Sequence, residues 1–313
     1  MKSFKPSLIE DIIPQNGECV NEPIYKTVAK ADKIQHSVKE IKHLLYQAYI
    51  SEGKAAKAHN VLECGTFLQF KQHFDPDRTA RLTGANFCKS PLCPMCAWRR
   101  HVKYYSILEK AVAMSNKHLY HLVLAVPNFD EICKADLMIL KERGRTFLTK
   151  QMGIKSYISN LEITNKENGY HPHLHIIFES DKFIQVTSDY IKKQAEHWRL
   201  WYERQADRNH CREYEGYTFY LQGVKRDDDG LCAELTKYIV KSEMPLTLQC
   251  FRDLSLAVHG VRKMSAGGDL KAYISAAKAQ LRTDYGHELA RLSAYDYEIQ
   301  IFNYINGRYK KID

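Results

Sequence analysis

No apolar stretch in this chain of 313 residues approaches the roughly 18 residues that a membrane-spanning helix needs. A signal peptide is not expected either, because the opening residues, MKSFKPSLIEDII, reach acidic side chains before an apolar core can form. The sequence also lacks internal repeats and low-complexity tracts. These absences favour a cytoplasmic protein without a membrane partner.

Acidic residues are the scarcer charge, since 37 Asp and Glu stand against 46 Lys and Arg, for a formal net charge of +9. A basic excess favours a polyanionic partner such as nucleic acid, although it carries no information about the fold. Hydrophobic residues make up 44% of the chain, which is enough for a sizeable core.

The cysteine pattern is not that of a disulfide framework. Nine is an odd number, and four of the nine, Cys64, Cys88, Cys93 and Cys96, fall in one short region. Four thiolates in two groups can close a tetrahedral Zn²⁺ site, and Gly65 lets the backbone turn tightly after the first of them. Such a site would be structural, because four thiolates leave zinc no open position. The alternative is that these cysteines pack as small apolar groups.

The spacing of apolar residues predicts an α+β fold. Residues 1 to about 33 lack a clear period and are predicted to form a loosely ordered arm, and residues 36–58 are predicted to form an amphipathic helix with a solvated basic face. Beyond a helix at 98–115, strands and helices are predicted in the order β-α-β-β-α-β, at 118–127, 131–152, 155–164, 171–180, 187–206 and 217–224. This is the split βαβ, ferredoxin-like order, in which an antiparallel sheet carries both helices on one face and leaves the other free for a site.

Histidines take alternate positions in the predicted strand HPHLHIIFES, so that His171, His173 and His175 share one face and apolar side chains the other. If residues 165–170, NKENGY, form a hairpin loop, antiparallel pairing sets Glu162 opposite His173 and brings its carboxylate to the histidine face. Two imidazoles and one carboxylate can bind a divalent ion and leave positions open for substrate. The alternative is a polar sheet face without function.

A candidate nucleophile follows the last predicted strand. In the predicted helix GLCAELTKYIVKSEM, Glu234, Tyr238 and Lys241 lie at positions i, i+4 and i+7, with Lys237 at the edge of that face. A phenol with a pKa of about 10 is a poor nucleophile unless its proton is withdrawn and its target polarised. A metal ion on a scissile phosphate together with a neighbouring lysine does both. Taken alone, the stretch also fits an ordinary amphipathic helix.

Together these motifs resemble a known family. HPHLH, the later ELTKYIVK and the earlier LAVPN resemble the three motifs of the rolling-circle replication initiators of small bacterial plasmids, single-tyrosine members of the HUH endonuclease superfamily. The stretch ANFCKSPLCPMCAWRR resembles the cysteine-rich segment found upstream in that family. The resemblance covers roughly residues 60 to 270.

The resemblance implies a role for each motif residue. His173 and His175 would bind a catalytic Mn²⁺ or Mg²⁺, with Glu162 as third ligand on the register argument. Tyr238 would attack DNA, and Glu234 would activate water to end the reaction. The implied activity is nicking and strand transfer at a double-strand origin through a 5′-phosphotyrosine. The implied partners are plasmid origin DNA, single-stranded or in a hairpin, and a host helicase and polymerase, and a homo-oligomer is left open.

The cations Arg99, Arg100 and Lys103 lie among aromatic residues, a composition suited to phosphate contact and base stacking. With Lys237 they are candidate DNA contacts, and a solvated helix face is the alternative. The expected regions are an N-terminal arm and helix at 1–60, a zinc-binding segment and basic helix at 61–115, the endonuclease core at 116–245 and a helical, basic extension at 246–313.

Three other functions fit parts of the pattern. A relaxase or transposase would use the same chemistry, although relaxases tend to carry an N-terminal tyrosine and such transposases usually lack the cysteine segment. An iron oxygenase uses a similar set of two histidines and one carboxylate. A zinc-containing DNA-binding regulator would need no catalytic residues.

Overall fold

The computed structural model describes residues 24–166, 169–203, 216–224 and 247–312. Contacts between Cα atoms divide these residues into two units. The first unit contains residues 24–103, 247–252 and 279–312, and the second contains residues 104–166, 169–203, 216–224 and 253–278. Both ends of the described chain therefore belong to the first unit, and the middle of the sequence forms the second.

Helices and strands together make up both units. Among the described residues the helices are α1 Ile24–Ser37, α2 Lys39–Ser51, α3 Ala55–Leu62, α4 Pro94–Ala113, α5 Lys134–Thr146, α6 Ser188–Glu203, α7 Leu248–Ala257 and α8 Gly268–Leu292. The strands are β1 Phe67–His73, β2 Ala80–Ala85, β3 His118–Ala125, β4 Tyr157–Lys166, β5 Gly169–Ser180, β6 Thr218–Val224, β7 Met264–Gly267, β8 Tyr297–Ile305 and β9 Arg308–Ile312. A π-helical turn, Phe147–Gln151, continues α5. The mixture of helices with antiparallel sheets confirms the predicted α+β class.

The second unit is built on a five-stranded antiparallel sheet with the spatial order β6–β3–β5–β4–β7. The histidine strand β5 lies at its centre, between β3 and β4. From β3 to β6 the elements follow the predicted order β-α-β-β-α-β. β7 adds a fifth strand beside β4 that the sequence pattern does not predict.

One face of this sheet packs against α5 and α6. A Cβ on Gly144 of α5 would lie 2.4 Å from Cδ1 of Leu174, so the helix lies very close to the centre of β5. Trp198 of α6 is fully buried, and its Nε1 donates a hydrogen bond of 2.7 Å to the carbonyl oxygen of Ala125 at the end of β3. Because side chains alternate along a strand, burial of the even-numbered apolar residues of β5 turns its odd-numbered histidines to the opposite face.

That opposite face is only partly open. A second apolar cluster contains Ile158 and Ile177 from the sheet, together with residues from the C-terminal half of α4 and the N-terminal half of α8: Tyr105, Leu108, Val112 and Leu270. The expectation that this face is free for a site is therefore wrong for the part around Ile158 and Ile177, where the two helices cover it. The histidines lie farther along the same face.

The first unit is built on a four-stranded antiparallel sheet with the order β2–β1–β8–β9. β1 pairs with β8 over its whole length, from Phe67 opposite Asn303 to His73 opposite Tyr297. One face of the sheet packs in a cluster of buried residues: Ile24, Ala31, Ile34, Val38, Cys64, Leu68, Phe70, Cys93, Met95 and Cys96. Three of the four candidate zinc ligands thus lie in the hydrophobic core of the unit.

The N-terminal part differs from the prediction. The loosely ordered arm is wrong from Ile24 onward, where α1 begins, and the rest of that arm lies outside the described residues. The single helix predicted at 36–58 is three helices. One break follows Ser37, whose Oγ donates to the carbonyl oxygen of Ile34 over 3.0 Å, and the next is at Gly53, whose φ of +72° favours glycine.

The last residues of the predicted helical, basic extension at 246–313 form a hairpin. β8 and β9 pair in antiparallel fashion around Asn306 and Gly307, whose φ angles are +53° and +83°. Asn-Gly is the residue pair that favours a tight two-residue hairpin turn. The sequence therefore carried a signal for this hairpin.

Candidate metal centres

The histidine strand β5 and the carboxylate strand β4 form a hairpin in the register expected from the sequence. Glu162 lies opposite His173, and pairing continues to Lys166 opposite Gly169, so the connection is shorter than the predicted loop at 165–170. Because cross-strand partners share a face of the sheet, the carboxylate lies on the histidine side.

Glu162, His173 and His175 form a compact cluster of possible ligand atoms. Oε2 of Glu162 lies 2.8 Å from Nε2 of His175 and 3.3 Å from Nε2 of His173. One ligand atom from each of the three residues lies within 4.8 Å of the other two. Octahedral ligands at about 2.1 Å from an ion lie about 3 Å from one another. The three side chains are therefore close enough to share one divalent ion.

A backbone hydrogen bond orients His173. Its Nδ1 lies 3.2 Å from the carbonyl oxygen of His171. A carbonyl oxygen can only accept, so Nδ1 donates in this contact. Once an ion takes the place of a proton on Nε2, the neutral ring would offer its lone pair from Nε2, the nitrogen that faces Glu162. Metal-binding histidines are commonly fixed in this way by a hydrogen bond from the other ring nitrogen.

A further histidine, His121 of β3, lies against His175. Nε2 of His121 is 3.2 Å from Nδ1 of His175, and the two rings are nearly parallel, at 11° with centroids 5.4 Å apart. Both imidazoles are buried. The sequence prediction missed His121, although its position in the strand HLYHLVLAVP would have placed it on the site face once β3 was paired with β5.

The carboxyl group of Glu162 is held in its ionised form. Burial is the largest single effect and raises the pKa of its carboxyl group, because its side chain is 0% exposed. The hydrogen bonds and charges of His173 and His175 act in the opposite direction and together hold the pKa well below its usual range. The ionised carboxylate is the form that binds a cation.

The LAVPN segment, residues 124–128, begins in the last two residues of β3, and its end is hydrogen-bonded to the start of β5. Phe129 and Tyr170 exchange two backbone hydrogen bonds of 2.8 and 2.7 Å, and Nδ1 of His171 lies 2.7 Å from Oδ1 of Asn128. A Cβ on Gly169, whose φ is +95°, would lie 2.4 Å from the carbonyl oxygen of Phe129, so this close approach requires glycine. Two of the three motifs are therefore in direct contact.

The four candidate zinc ligands also come together. Sγ of Cys96 lies 3.6 Å from Sγ of Cys64 and 3.6 Å from Sγ of Cys88, and all four sulfurs, with that of Cys93, lie within 4.8 Å of one another. Zinc–sulfur bonds of about 2.3 Å in a tetrahedron separate the sulfurs by about 3.8 Å. The sulfur positions therefore fit a Zn²⁺ ion.

Hydrogen bonds among the four thiols lower the pKa of Cys88 and Cys96 and raise the pKa of Cys64 and Cys93, so thiolates are favoured at two of the four positions. The backbone amides of Cys88 and Lys89 donate to Sγ of Cys64 and Cys96 over 3.4 and 3.2 Å, and Lys89 has a left-handed φ of +61° in this turn. Contacts with the neighbouring thiols, first that of Cys64, lower the pKa of Cys96. Thiolate is the form that binds zinc.

A buried cation lies beside this cluster. Lys42 is 5% exposed, and its Nζ donates to the carbonyl oxygen of Cys64 over 3.0 Å and to Oε1 of Gln35 over 2.9 Å. The prediction that the lysines of this helical region lie on a solvated face is wrong for Lys42. Its charge is explained by contacts with Gln35 and Cys64, which helical spacing alone does not show.

The three basic residues of α4 differ in their contacts. The guanidinium of Arg100 donates to the carbonyl oxygens of Ser90 and Pro91, at 3.0 Å for Pro91. It thereby holds the loop between Cys88 and Cys93, called the cysteine loop below. Arg99 is exposed and lies over the Phe87 ring at 4.6 Å, and Lys103 is exposed. Arg99 and Lys103 are thus accessible to a polyanion.

The remaining predicted site residues, Glu234, Lys237, Tyr238 and Lys241, lie outside the described residues, as does the predicted helix that contains them.

Within the described part of the chain, no helix is both long enough and apolar enough to span a membrane.

Comparisons with known proteins identify the family. The sequence model of a family described as replication protein matches residues 79–301. The protein named Protein rep of Lentilactobacillus hilgardii is 29% identical over 251 residues, which are 74% of this chain and 79% of the relative. Protein rep of Lactiplantibacillus plantarum is 30% identical over 259 residues, 74% of this chain and 78% of the relative. No solved structure gives a significant match. The chain therefore belongs to the replication protein family, the Rep initiators of plasmid replication.

Proposed function

We propose that this chain is a metal-dependent, site-specific single-strand DNA endonuclease and strand transferase that nicks the double-strand origin of a plasmid. The observation that carries the proposal is the buried cluster of Glu162, His173 and His175 in a member of the replication protein family. A carboxylate and two imidazoles leave coordination positions for water and for a phosphate oxygen, as phosphoryl transfer requires.

Tyr238 is the proposed nucleophile. Its phenol gives up its proton to solvent, and the phenolate oxygen forms a bond to the scissile phosphorus while the bond from phosphorus to the 3′ oxygen breaks. The released 3′ oxygen takes up a proton and becomes the hydroxyl group that a polymerase extends, and the 5′ phosphate stays on the tyrosine. Lys241 would stabilise the phenolate by its charge. One phosphoester replaces another, so the strand can be resealed or transferred without ATP.

The cluster of Glu162, His173 and His175 would hold Mn²⁺ or Mg²⁺, which polarises the scissile phosphate when bound. Glu162 contributes a negative charge, and two neutral imidazoles contribute lone pairs. The hydrogen bond from His173 to the carbonyl oxygen of His171 keeps one of these lone pairs directed at the cluster. The protein therefore supplies a ligand set that needs little reorganisation when the ion binds.

Termination would need a second agent, because Tyr238 is occupied after the first cleavage. Glu234 is proposed to activate water, which hydrolyses the phosphotyrosine.

Binding of origin DNA is proposed to use Arg99, Lys103, Lys237 and, less directly, Arg100. Cys64, Cys88, Cys93 and Cys96 would hold a structural Zn²⁺. The protein is proposed to act in the cytoplasm together with a host helicase and polymerase.

The test is incubation of the protein with a supercoiled plasmid that carries its origin, with Mn²⁺ or with a chelator. A relaxed product with protein attached is expected only when the ion is present. Tyr238→Phe should abolish the covalent adduct, whereas Tyr295→Phe, a change of an exposed tyrosine in the first unit, should leave it intact. An adduct that survives in Tyr238→Phe would refute the assignment.

A second variant tests termination. Glu234→Ala should spare first cleavage and impair hydrolysis, and equal loss of both steps would count against its proposed role. The other functions give different results in the same samples. An iron oxygenase would consume oxygen without nicking, and a DNA-binding regulator would bind duplex DNA equally well after substitution of His173 and His175.

A further inference from the structure

We infer that His121 is a positioning residue that holds His175 in the orientation and tautomer needed for metal binding. The inference deepens the proposed function and rests on it, since it concerns the metal cluster of Glu162, His173 and His175. Nδ1 of His175 lies 3.2 Å from Nε2 of His121, and Nε2 of His175 lies 2.8 Å from Oε2 of Glu162. The two ring nitrogens of His175 thus face different partners on different strands.

The chemistry of the imidazole ring makes this arrangement directional. To give its Nε2 lone pair to an ion, a neutral His175 must carry its proton on Nδ1. That proton needs an acceptor, because a buried N–H group without one costs about 1–3 kcal/mol. Nε2 of His121 lies at the required position and can accept if His121 itself is protonated on Nδ1. Each ring therefore fixes the proton position of the other.

The same requirement is met differently at His173. There the acceptor is the backbone carbonyl oxygen of His171, which belongs to the same strand and comes with the fold. His175 instead depends on a side chain from β3, which pairs with β5 so that Val123 lies opposite His175 and His121 lies opposite Ile177. His121 therefore lies on the same face as His175, two residues along β3 from the direct partner Val123. The two rings are nearly parallel, which keeps Nε2 of His121 within hydrogen-bond distance of Nδ1 of His175. One ligand is oriented by backbone and the other by a replaceable side chain.

Mn²⁺ affinity of the full chain, measured by titration calorimetry and by electron paramagnetic resonance with zinc retained, tests the inference. His121→Phe keeps a planar ring but removes the acceptor, and it should weaken Mn²⁺ binding about 10- to 100-fold, as removal of outer hydrogen-bond partners commonly does. His121→Gln keeps an amide oxygen near the position of Nε2 and should restore most of that loss. His118→Phe is the matched control, because His118 is an exposed residue of the same strand on the other face.

A second measurement does not depend on how the variants fold. In the wild-type protein saturated with Mg²⁺, long-range proton–nitrogen NMR correlations should find the proton of His121 on Nδ1. A proton on Nε2 of His121 would overturn the inference. An Mn²⁺ affinity in folded His121→Phe equal to that of the wild type would also overturn it. An equal loss of affinity in His121→Phe and His121→Gln would overturn it as well, because the side chain would then act only by filling space.

Glu162→Gln separates this inference from the proposed function. If Glu162→Gln binds Mn²⁺ as well as the wild type, the metal site itself is wrong. If Glu162→Gln weakens binding and His121→Phe does not, only the role of His121 is wrong.

Discussion

Oε2 of Glu162 lies 2.8 Å from Nε2 of His175, although the two residues belong to different strands and are not direct cross-strand partners. The contact arises because Glu162 faces His173, and His175 is the next residue of β5 on the same face. The carboxylate therefore lies between two imidazoles, where both hold its pKa down.

Glu162→Gln keeps the size of the side chain but removes its charge. Because a direct anionic ligand is lost, Mn²⁺ affinity should fall by more than the about 10- to 100-fold typical of outer partners. Titration calorimetry on the zinc-containing protein measures this change. Glu179→Gln is the control, since Glu179 is also a buried carboxylate on β5 but bonds to Ser115 and Ser156. Equal losses in both variants would indicate general damage to the sheet.

The register of this hairpin could be predicted because both of its determinants are local. A polar loop with glycine fixes where the chain reverses, and strict alternation of histidines with apolar residues fixes the face. Pairing then places Glu162 without knowledge of the rest of the fold. His121 could not be placed in this way, because its contact depends on the pairing of β3 with β5, which are separated by a helix and a strand.

Gly169→Ala should disturb the connection between the LAVPN segment and the histidine strand. A Cβ would lie 2.4 Å from the carbonyl oxygen of Phe129, and the φ of +95° is unfavourable for alanine. We expect lower thermal stability and weaker Mn²⁺ binding. Gly153→Ala is the matched control, because Gly153 has a φ of +70° but nothing within 4 Å of a Cβ. A loss no greater than that of Gly153→Ala would mean that the close approach to Phe129 is unimportant.

The sheet of the first unit depends on a long-range pairing that no local pattern encodes. β1 lies just after Cys64, and its partner β8 begins at Tyr297, more than two hundred residues later. Apolar periodicity indicates that a segment is a strand but does not identify its partner. The four cysteines could still be predicted to share one site, because four cysteines close together in a sequence are typical of a zinc site.

Lys42→Met should weaken the hold of the cysteine cluster on zinc. Zn²⁺ bound by four thiolates would carry a net charge of −2, and the buried ammonium group of Lys42 is a nearby cation that would offset it. Burial lowers the pKa of Lys42, and the charges of Cys64, Cys93 and Cys88 oppose that effect. We expect zinc to be lost to a chromophoric chelator several-fold faster than from the wild type.

The control for Lys42→Met is Lys39→Met, an exposed lysine at the start of α2. Methionine fills the same apolar path as the lysine stem, but the hydrogen bonds to Oε1 of Gln35 and to the carbonyl oxygen of Cys64 are lost, so thermal stability should fall as well. Rates of zinc loss are therefore compared at a temperature at which both proteins are fully folded. Identical rates of zinc loss in the wild type and Lys42→Met would contradict a role for the charge.

The buried phenol of Tyr49 should make the stability of the protein depend on pH in the alkaline range. Burial raises the pKa of this phenol to about 12, and the hydrogen bond of 2.8 Å with Oγ of Ser90 only partly opposes the rise. In the unfolded chain the phenol ionises at a pH of about 10. A raised pKa in the folded state means that the contribution of Tyr49 to stability is fully present below that pH and is lost as the pH rises toward 12.

Tyr49→Phe removes both the ionisable group and the hydrogen bond to the cysteine loop. At neutral pH the variant should be less stable than the wild type by about 1 kcal/mol, the usual net worth of such a bond. Between pH 10 and 12 the wild type should lose stability faster than Tyr49→Phe, so the difference shrinks and then reverses. Urea unfolding of both proteins at stepped pH, with zinc present, measures the difference. A gap that stays constant across this range would mean that Tyr49 ionises as easily in the folded protein as in the unfolded chain.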